Sequence, residues 1–175
     1  MTDLALFESL LECKTVSDLH AKTGAITQIL GFDHFIYGVQ ANTPVGEPYQ
    51  FVLSGYPENW RKIYCDADYE SVDPVLHHCI RSVVPVLWDN LSSLPQASRR
   101  LMEEAKLFGL ANGVTCPLRG LGSEIGLLSV AVEKNSKIAR KHMASSQGTI
   151  QLFANYLHES IHRVVLSGGS VINNK

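Results

Sequence analysis

The spacing of hydrophobic side chains predicts helices at the start of the chain. Apolar residues recur there at the three- to four-residue spacing of one helix face: Leu4, Phe7, Leu10 and Leu11. A second helix is expected to follow the stretch Thr15–Asp18 and to end at Gly31, because glycine readily adopts the left-handed backbone that closes a helix.

Short apolar segments further along predict β-strands. They cover residues 35–39, 49–53, 83–88, 113–118 and 125–132. The turn Arg119–Ser123 carries two glycines and is expected to join the last two strands as a hairpin.

Helices are predicted between and after these strands. Pro57 can open a short helix that carries Trp60, and Asp73–Pro74 has the form of an N-cap followed by proline at the first helical position. Further helices are expected over residues 98–107 and 136–165. The pattern indicates an α+β fold, an α-β-α sandwich around a mostly antiparallel sheet, which is the general shape of PAS-like and GAF-like sensor domains. Fold alone does not decide function.

Composition excludes several classes of protein. The 175 residues fit one domain, and 45% hydrophobic against 18% charged residues is typical of a globular chain. A net charge of -2 without a basic cluster predicts weak affinity for nucleic acid. No apolar run is long enough to cross a bilayer, and four widely spaced cysteines without a CxxC pair predict free thiols in a reducing cytoplasm.

An ordered series of short motifs resembles a known family. The motifs are GYPENWRKIY at 55–64, YESVDP at 69–74, VPVLW at 84–88, EEA at 103–105, GL at 109–110 and GVTCPLRG at 113–120. Each is weak alone, but the ordered set is similar to the autoinducer-binding domain of LuxR-type quorum-sensing regulators, in particular the LasR-like branch. The resemblance covers residues from about 7 to about 166.

The resemblance implies a receptor for an N-acyl-homoserine lactone, with no cofactor, no catalysis and no metal. The acyl chain is expected to be of medium to long length, with or without a 3-oxo group. In the family's pattern Trp60 donates its indole N–H to the lactone carbonyl and Asp73 accepts the ligand's amide N–H. Tyr56 and Ser129 are implied as donors to the amide carbonyl.

The resemblance also implies the walls of the binding site. Residues implied around the lactone ring are Trp88 and Leu110, with Ala105 nearby and Leu101 beside the ring; Thr115 is implied as a further ligand-binding residue. Residues implied along the acyl chain are Gly38, Val52, Tyr64, Leu76 and Leu127, with Arg61 able to reach a 3-oxo oxygen through water. Four positions depart from the pattern: Val75 replaces a hydroxyl residue, Leu101 replaces an aromatic one, Leu127 stands where a smaller residue would deepen the acyl slot, and Ser93 stands where an aromatic residue is expected.

The residues taken alone leave simpler interpretations open. Trp60 and Trp88 could be ordinary core aromatics, and Asp73 could be only an N-cap. Both roles of Asp73 are compatible if one carboxylate oxygen caps the helix and the other meets a ligand. Gly113 could serve only a close backbone approach.

Two histidine motifs permit a metal hypothesis. His158–His162 matches HExxH on a helix, the zinc pattern of metalloproteases, although no third ligand follows it and a partly exposed helix face is the simpler interpretation. His77-His78-Cys79 is contiguous, but adjacent helical side chains diverge by about 100°. A PAS-like or GAF-like sensor of another hydrophobic ligand is a further alternative.

The resemblance also predicts domain organisation. Residues 1–166 are expected to be the autoinducer-binding domain, and 167–175 the start of a linker to a helix-turn-helix DNA-binding domain that this sequence does not include. Binding to DNA and control of transcription would require that domain. Apolar residues on the last helix could pack within the chain or form part of a homodimer face: Ile150, Phe153, Leu157, Ile161 and Val164.

Overall fold

Five antiparallel strands form one sheet in the order β2-β1-β5-β4-β3, in a computed structural model that describes residues 3–42, 47–120 and 122–166. The strands are β1 (His34–Ala41), β2 (Tyr49–Ser54), β3 (Val86–Leu87), β4 (Asn112–Arg119) and β5 (Ile125–Val132). The predicted linker at 167–175 lies outside the described residues.

Six α-helices surround this sheet in the described part of the chain. They are α1 (Asp3–Glu8), α2 (Val16–Ile29), α3 (Glu58–Asp66), α4 (Pro74–Arg81), α5 (Gln96–Lys106) and α6 (Lys137–Ile161). Short 3-10 turns cover Ser9–Glu12, Tyr69–Val72 and Trp88–Asn90, and one π-helical turn covers His162–Leu166.

The predicted helix boundaries at Thr15 and Gly31 are confirmed. Thr15 and Asp18 form a capping box at the start of α2, since each side chain accepts a hydrogen bond from the other residue's backbone N–H. Gly31 follows the helix with a φ of 86°, the left-handed conformation expected there.

Successive side chains along each strand point to opposite faces of the sheet, and the two faces belong to two different layers. On β5, Leu128, Val130 and Val132 belong to the main core beneath α1, α2 and α6, whereas Ala131 belongs to a second cluster beneath α3 and α5. The sheet therefore divides the protein into a solid apolar layer and a layer that holds the second cluster. The α+β sandwich predicted from the sequence is confirmed.

The long helix α6 packs within the chain. Ile150, Phe153, Leu157 and Ile161 are fully buried in the main core. Of the two packing possibilities for this face, the intramolecular one accounts for these four residues.

Two predicted boundaries were wrong. The strand expected over 83–88 is reduced to Val86–Leu87, because Val83 and Val84 are exposed, Pro85 has no N–H to donate, and Trp88 begins a 3-10 turn. The α-helix expected to reach 165 ends at Ile161 and continues only as the π-helical turn.

Arg119 fixes helix α4 against the sheet. Its guanidinium donates hydrogen bonds to the carbonyls of Cys79, Ile80 and Ser82 at 2.7, 3.2 and 3.2 Å. A cation at the C-terminus of a helix satisfies carbonyls that lack intrahelical partners and is favoured by the helix dipole. This contact holds α4 as a wall over the second layer.

Candidate functional site

A cavity of about 670 Å³ lies between the sheet and helices α3, α4 and α5. All but one of the residues that the sequence implicated line it. They are Gly38, Val52, Tyr56, Trp60, Arg61, Tyr64, Asp73, Val75, Leu76, Trp88, Leu101, Ala105, Leu110, Leu127 and Ser129.

Asp73 occupies one end of the cavity and uses its two carboxylate oxygens differently. Oδ1 accepts hydrogen bonds from the backbone N–H groups of Val75 and Leu76 at 2.8 and 3.2 Å, which caps α4 as predicted. Oδ2 accepts a hydrogen bond from the Tyr64 hydroxyl at 2.8 Å. Burial raises the pKa of the Asp73 carboxyl above its usual value, and the hydrogen bonds from Tyr64, Leu76 and Val75 oppose that rise.

Trp60 is buried on α3 with its ring packed among three aromatic side chains. The ring centroids of Phe108, Tyr69 and Tyr64 lie 5.6, 5.9 and 6.2 Å from that of Trp60. The indole N–H makes no hydrogen bond to any residue that the structure describes. The ring of Trp60 therefore packs in the core, while its indole nitrogen remains available as a hydrogen-bond donor.

A buried chain of hydrogen bonds leads from Trp88 to the cavity. The Trp88 indole N–H donates to Oγ1 of Thr115 at 2.9 Å, and the Thr115 and Ser129 hydroxyls lie 2.7 Å apart. Thr115 is fully buried and already accepts from Trp88, so donating its own proton to Ser129 satisfies the hydroxyl without water. The Ser129 proton is then left to donate into the cavity.

Tyr56 stands beside Ser129 at the same end of the cavity. Burial, and then the nearby Asp73 carboxylate, raise the pKa of the Tyr56 hydroxyl, while the Ser129 hydroxyl opposes the rise. The phenol therefore keeps its proton at neutral pH and remains a hydrogen-bond donor.

Thr115 is the one implicated residue that does not line the cavity. It pairs directly with Ser129 across β4 and β5, and its hydroxyl orients Ser129 and Trp88. Gly113, on the same face of β4, makes room for Trp88: a Cβ there would lie 2.8 Å from Cε2 of the indole. The close approach proposed for Gly113 is confirmed.

Apolar side chains form the remaining walls. Leu101, Ala105 and Leu110 are buried beside Trp88 in the second cluster. Gly38 pairs directly with Val52 on β2 and with Leu127 on β5, so these three residues form one row across the sheet. Val75 and Leu76 face this row from α4.

Arg61 adds a positive charge to the lining. Its guanidinium carbon lies 5.9 Å from the centroid of the Tyr64 ring. No carboxylate among the described residues pairs with it. A cation that stacks on an aromatic ring without a salt-bridge partner keeps its N–H groups available to a ligand oxygen or to water.

Several residues on the strands line the cavity but were not predicted from the sequence. Ile36 and Gln40 lie two positions either side of Gly38, and Gln50 lies two positions before Val52. The period of two along a strand, applied outward from Gly38 and Val52, would have identified them.

The HExxH histidines lie on the opposite side of the sheet from the cavity. Nε2 of His158 is 3.3 Å and Nε2 of His162 is 3.5 Å from the carboxylate of Glu124, and the Tyr37 hydroxyl lies 2.7 Å from Nδ1 of His158. His158 is buried, so the expectation of a partly exposed face holds for His162 and was wrong for His158. Over residues 3–42, 47–120 and 122–166, no three potential ligands are arranged to hold a metal ion.

The second histidine motif also separates in space. Nε2 of His78 donates to the carbonyl of Val84 at 2.8 Å, whereas Cys79 is buried and lines the cavity. Burial raises the pKa of Cys79 to about 12, so the thiol stays protonated.

Among the described helices, none is long and apolar enough to cross a membrane.

Comparisons with known proteins agree with this architecture. A family model described as "Autoinducer binding domain" matches residues 15–161. The transcriptional activator protein AnoR of Acinetobacter nosocomialis is 28% identical over 160 residues, which cover 91% of this chain and 67% of AnoR. The chain spans about two thirds of the length of AnoR and of VanR of Vibrio anguillarum, and less than half of RhlR of Pseudomonas aeruginosa.

Solved structures share the fold. The LuxR-family factor CepR2 of Burkholderia cenocepacia, described as dependent on N-acylhomoserine lactone, superposes with a TM-score of 0.76 at 17% identity, covering 93% of this chain and 98% of that one. SdiA of Escherichia coli, in complex with octanoyl-rac-glycerol, gives 0.76 at 22% identity, covering 93% of this chain and 65% of SdiA. The relatives are regulators of transcription and not enzymes.

Proposed function

Because the chain belongs to the autoinducer-binding domain family of LuxR-type regulators, we propose that its cavity is the receptor site for an N-acyl-homoserine lactone. The observation that carries the proposal is the set of polar groups at one end of the cavity. Trp60 offers an indole N–H without a described partner, Ser129 offers a hydroxyl proton, and Asp73 offers a carboxylate oxygen.

This set matches the head of the ligand group by group. An acyl-homoserine lactone carries two carbonyl oxygens and one amide N–H, so a dry site for it needs at least two donors and one acceptor. Trp60 donates to the lactone carbonyl, Ser129 and Tyr56 donate to the amide carbonyl, and Asp73 accepts the amide N–H. Trp88, Leu101 and Leu110 enclose the ring.

The apolar walls supply the larger share of affinity. Transfer of a methylene from water gives about 0.8 kcal/mol, so the eight methylenes of a decanoyl chain give about 6 kcal/mol before ordering costs. The row formed by Gly38, Val52 and Leu127 receives this chain. Arg61 also lines the cavity and would meet a 3-oxo oxygen through water, so we propose that 3-oxo and unsubstituted chains are both accepted.

The polar end disfavours a free fatty acid. A fatty carboxylate placed beside the buried Asp73 carboxylate would bring two negative charges together, and like charges in a site of low polarity repel strongly. A neutral acylglycerol, of the kind bound by SdiA, has hydroxyl donors for Asp73 but no amide N–H. It is the informative competitor.

Calorimetric titration with decanoyl-homoserine lactone tests the proposal. We expect one site per chain with a dissociation constant below about 1 μM, and weaker binding of decanoic acid and 1-decanoylglycerol. Trp60→Phe keeps the ring contacts but removes the donor, and it should weaken lactone binding by about tenfold. Equal affinity for lactone and fatty acid, or an unchanged Trp60→Phe variant, would contradict the proposal.

The regulatory role would require the part of the relatives that this chain does not cover. We propose that this domain acts in the cytoplasm and controls transcription through a DNA-binding domain that follows it, as part of a homodimer. Ligand that binds only the folded state stabilises that state by mass action, which would couple the signal to the amount of folded regulator. A rise in thermal midpoint with lactone concentration is the expected signature.

A further inference from the structure

The floor of the cavity is built from three rows of side chains that cross the sheet. In the first row Ile36 pairs with Ser129, and both residues line the cavity. The second is the apolar row of Gly38, Val52 and Leu127. The third begins two residues further along the strands, where Gln40 of β1 lies directly opposite Gln50 of β2.

The third row changes the chemistry of the floor. Gln40 and Gln50 both line the cavity and are exposed, and neither side chain is hydrogen-bonded to a described residue. Their amides are therefore hydrated. Asn42 and Ser123 add further polar groups at this end, with the Ser123 hydroxyl donating to the Asn42 carbonyl at 3.3 Å.

The distance between the first and third rows can be expressed as the number of acyl-chain carbons that span it. Strands advance about 3.4 Å per residue, so the glutamine row lies roughly 14 Å from the hydroxyl row, four residues away. An extended backbone covers about 3.5 Å in three bonds, or about 1.2 Å per bond. A chain whose carbonyl carbon lies at Ser129 thus crosses the apolar row with its middle carbons and, about eleven bonds on, reaches the glutamines at roughly its twelfth carbon.

We propose that the cross-strand pair Gln40–Gln50 sets the upper limit of acyl chain length, at about ten to eleven carbons. This inference rests on the proposed function. Each methylene over the apolar row is transferred out of water, whereas each one over the glutamines either remains in water or displaces water from two amides. Displacing that water offsets the gain, because an amide that loses its hydrogen bonds is penalised by more than a methylene contributes.

The test is a titration series with unsubstituted acyl-homoserine lactones of six, eight, ten, twelve and fourteen carbons. For the unmodified domain we expect the dissociation constant to fall by up to about fourfold per methylene as far as ten carbons and to stay level beyond. In the double variant Gln40→Leu/Gln50→Leu the fall should continue to fourteen carbons. Gln28→Leu, at an exposed position of α2 away from the cavity, should keep the plateau of the unmodified domain.

A second variant moves the limit in the other direction. Val52→Gln places an amide in the apolar row at a side chain that is already 48% exposed, so folding should persist. Its plateau should begin at about six to eight carbons.

The outcomes separate the inference from the proposal on which it rests. Continued tightening to fourteen carbons in the unmodified domain, or a plateau that the double variant leaves in place, would overturn the role of the glutamines while the lactone site stands. Failure of every lactone to bind a folded domain would overturn both.

Discussion

The Tyr64 hydroxyl donates a hydrogen bond to Oδ2 of Asp73 over 2.8 Å, while Oδ1 of the same carboxylate caps helix α4. A carboxylate oxygen accepts more than one hydrogen bond, so Oδ2 can take a ligand N–H in addition to Tyr64. The cap and the phenol hold the carboxylate in one orientation before any ligand arrives. The site is thus pre-organised, which reduces the ordering cost of binding.

Asp73→Asn separates the structural role of this residue from its proposed binding role. Asparagine caps helices as well as aspartate does, but its amide nitrogen would face the ligand's N–H, donor against donor. We expect lactone affinity to fall by about 10- to 100-fold, since a hydrogen bond to a charged group contributes about 1.5–3 kcal/mol. The free energy of unfolding without ligand should hold or rise, because no carboxylate is buried.

The measurements are a lactone titration and urea unfolding on the same preparation. Asp66→Asn, at an exposed position on α3, is the matched control and should behave as the unmodified domain. An Asp73→Asn variant that binds lactone normally would show that Asp73 is only an N-cap.

Thr115→Val tests the buried chain of hydrogen bonds. Valine has nearly the same shape but leaves the Trp88 indole N–H without an acceptor and removes the group that orients Ser129. The free energy of unfolding should fall by about 1–3 kcal/mol, and lactone affinity should fall with it. Thr115→Ser keeps the hydroxyl and should retain more affinity than Thr115→Val; equal binding by the two variants would argue against the chain.

Substitution by alanine should destabilise the protein at Gly113 and leave it unaffected at Gly38, although both glycines lie in the sheet. A Cβ at Gly113 would lie 2.6 Å from the Val130 carbonyl oxygen and 2.8 Å from the Trp88 ring, whereas a Cβ at Gly38 meets no atom within 4 Å. Gly113→Ala should therefore lower the free energy of unfolding by about 1–3 kcal/mol and displace Trp88, while Gly38→Ala should fold normally. Urea denaturation followed by tryptophan fluorescence compares them, and similar stability in both variants would contradict the described packing.

The His158 imidazole predicts a dependence of stability on pH. Burial lowers its pKa below the ordinary value of about 6.5, although Glu124 opposes that effect and His162 adds to it. As the pH falls below about 6.5 the unfolded chain takes up a proton that the folded chain takes up only at lower pH, so the free energy of unfolding decreases on acidification.

Unfolding experiments between pH 7.5 and 5.5 check this expectation. His158→Gln, which can still hydrogen-bond to Tyr37, should reduce the loss of stability on acidification. His77→Gln, at an exposed position, should not. If His158→Gln leaves the pH dependence of unfolding as it is in the unmodified domain, then proton uptake by His158 does not cause it.

Local chemistry made much of the architecture predictable, and long-range pairing did not. The cap at Asp73 follows from an Asp-Pro pair, and the end of α2 follows from Gly31, because both depend on a few adjacent residues. The position of Thr115 opposite Ser129 depends on the register of β4 against β5, which no local pattern encodes. For the same reason the contact between His158 and Glu124, 34 residues apart, was not foreseen, and a sequence match to HExxH pointed toward zinc.

A crystal structure of the domain with decanoyl-homoserine lactone is the decisive measurement for the proposed binding mode. We expect the lactone carbonyl oxygen to lie about 2.7–3.2 Å from Trp60 Nε1, and the amide nitrogen to lie at the same distance from Asp73 Oδ2. The acyl chain should lie over Gly38 and point toward the glutamine pair. A ligand that lies in the opposite direction, or outside this cavity, would contradict it.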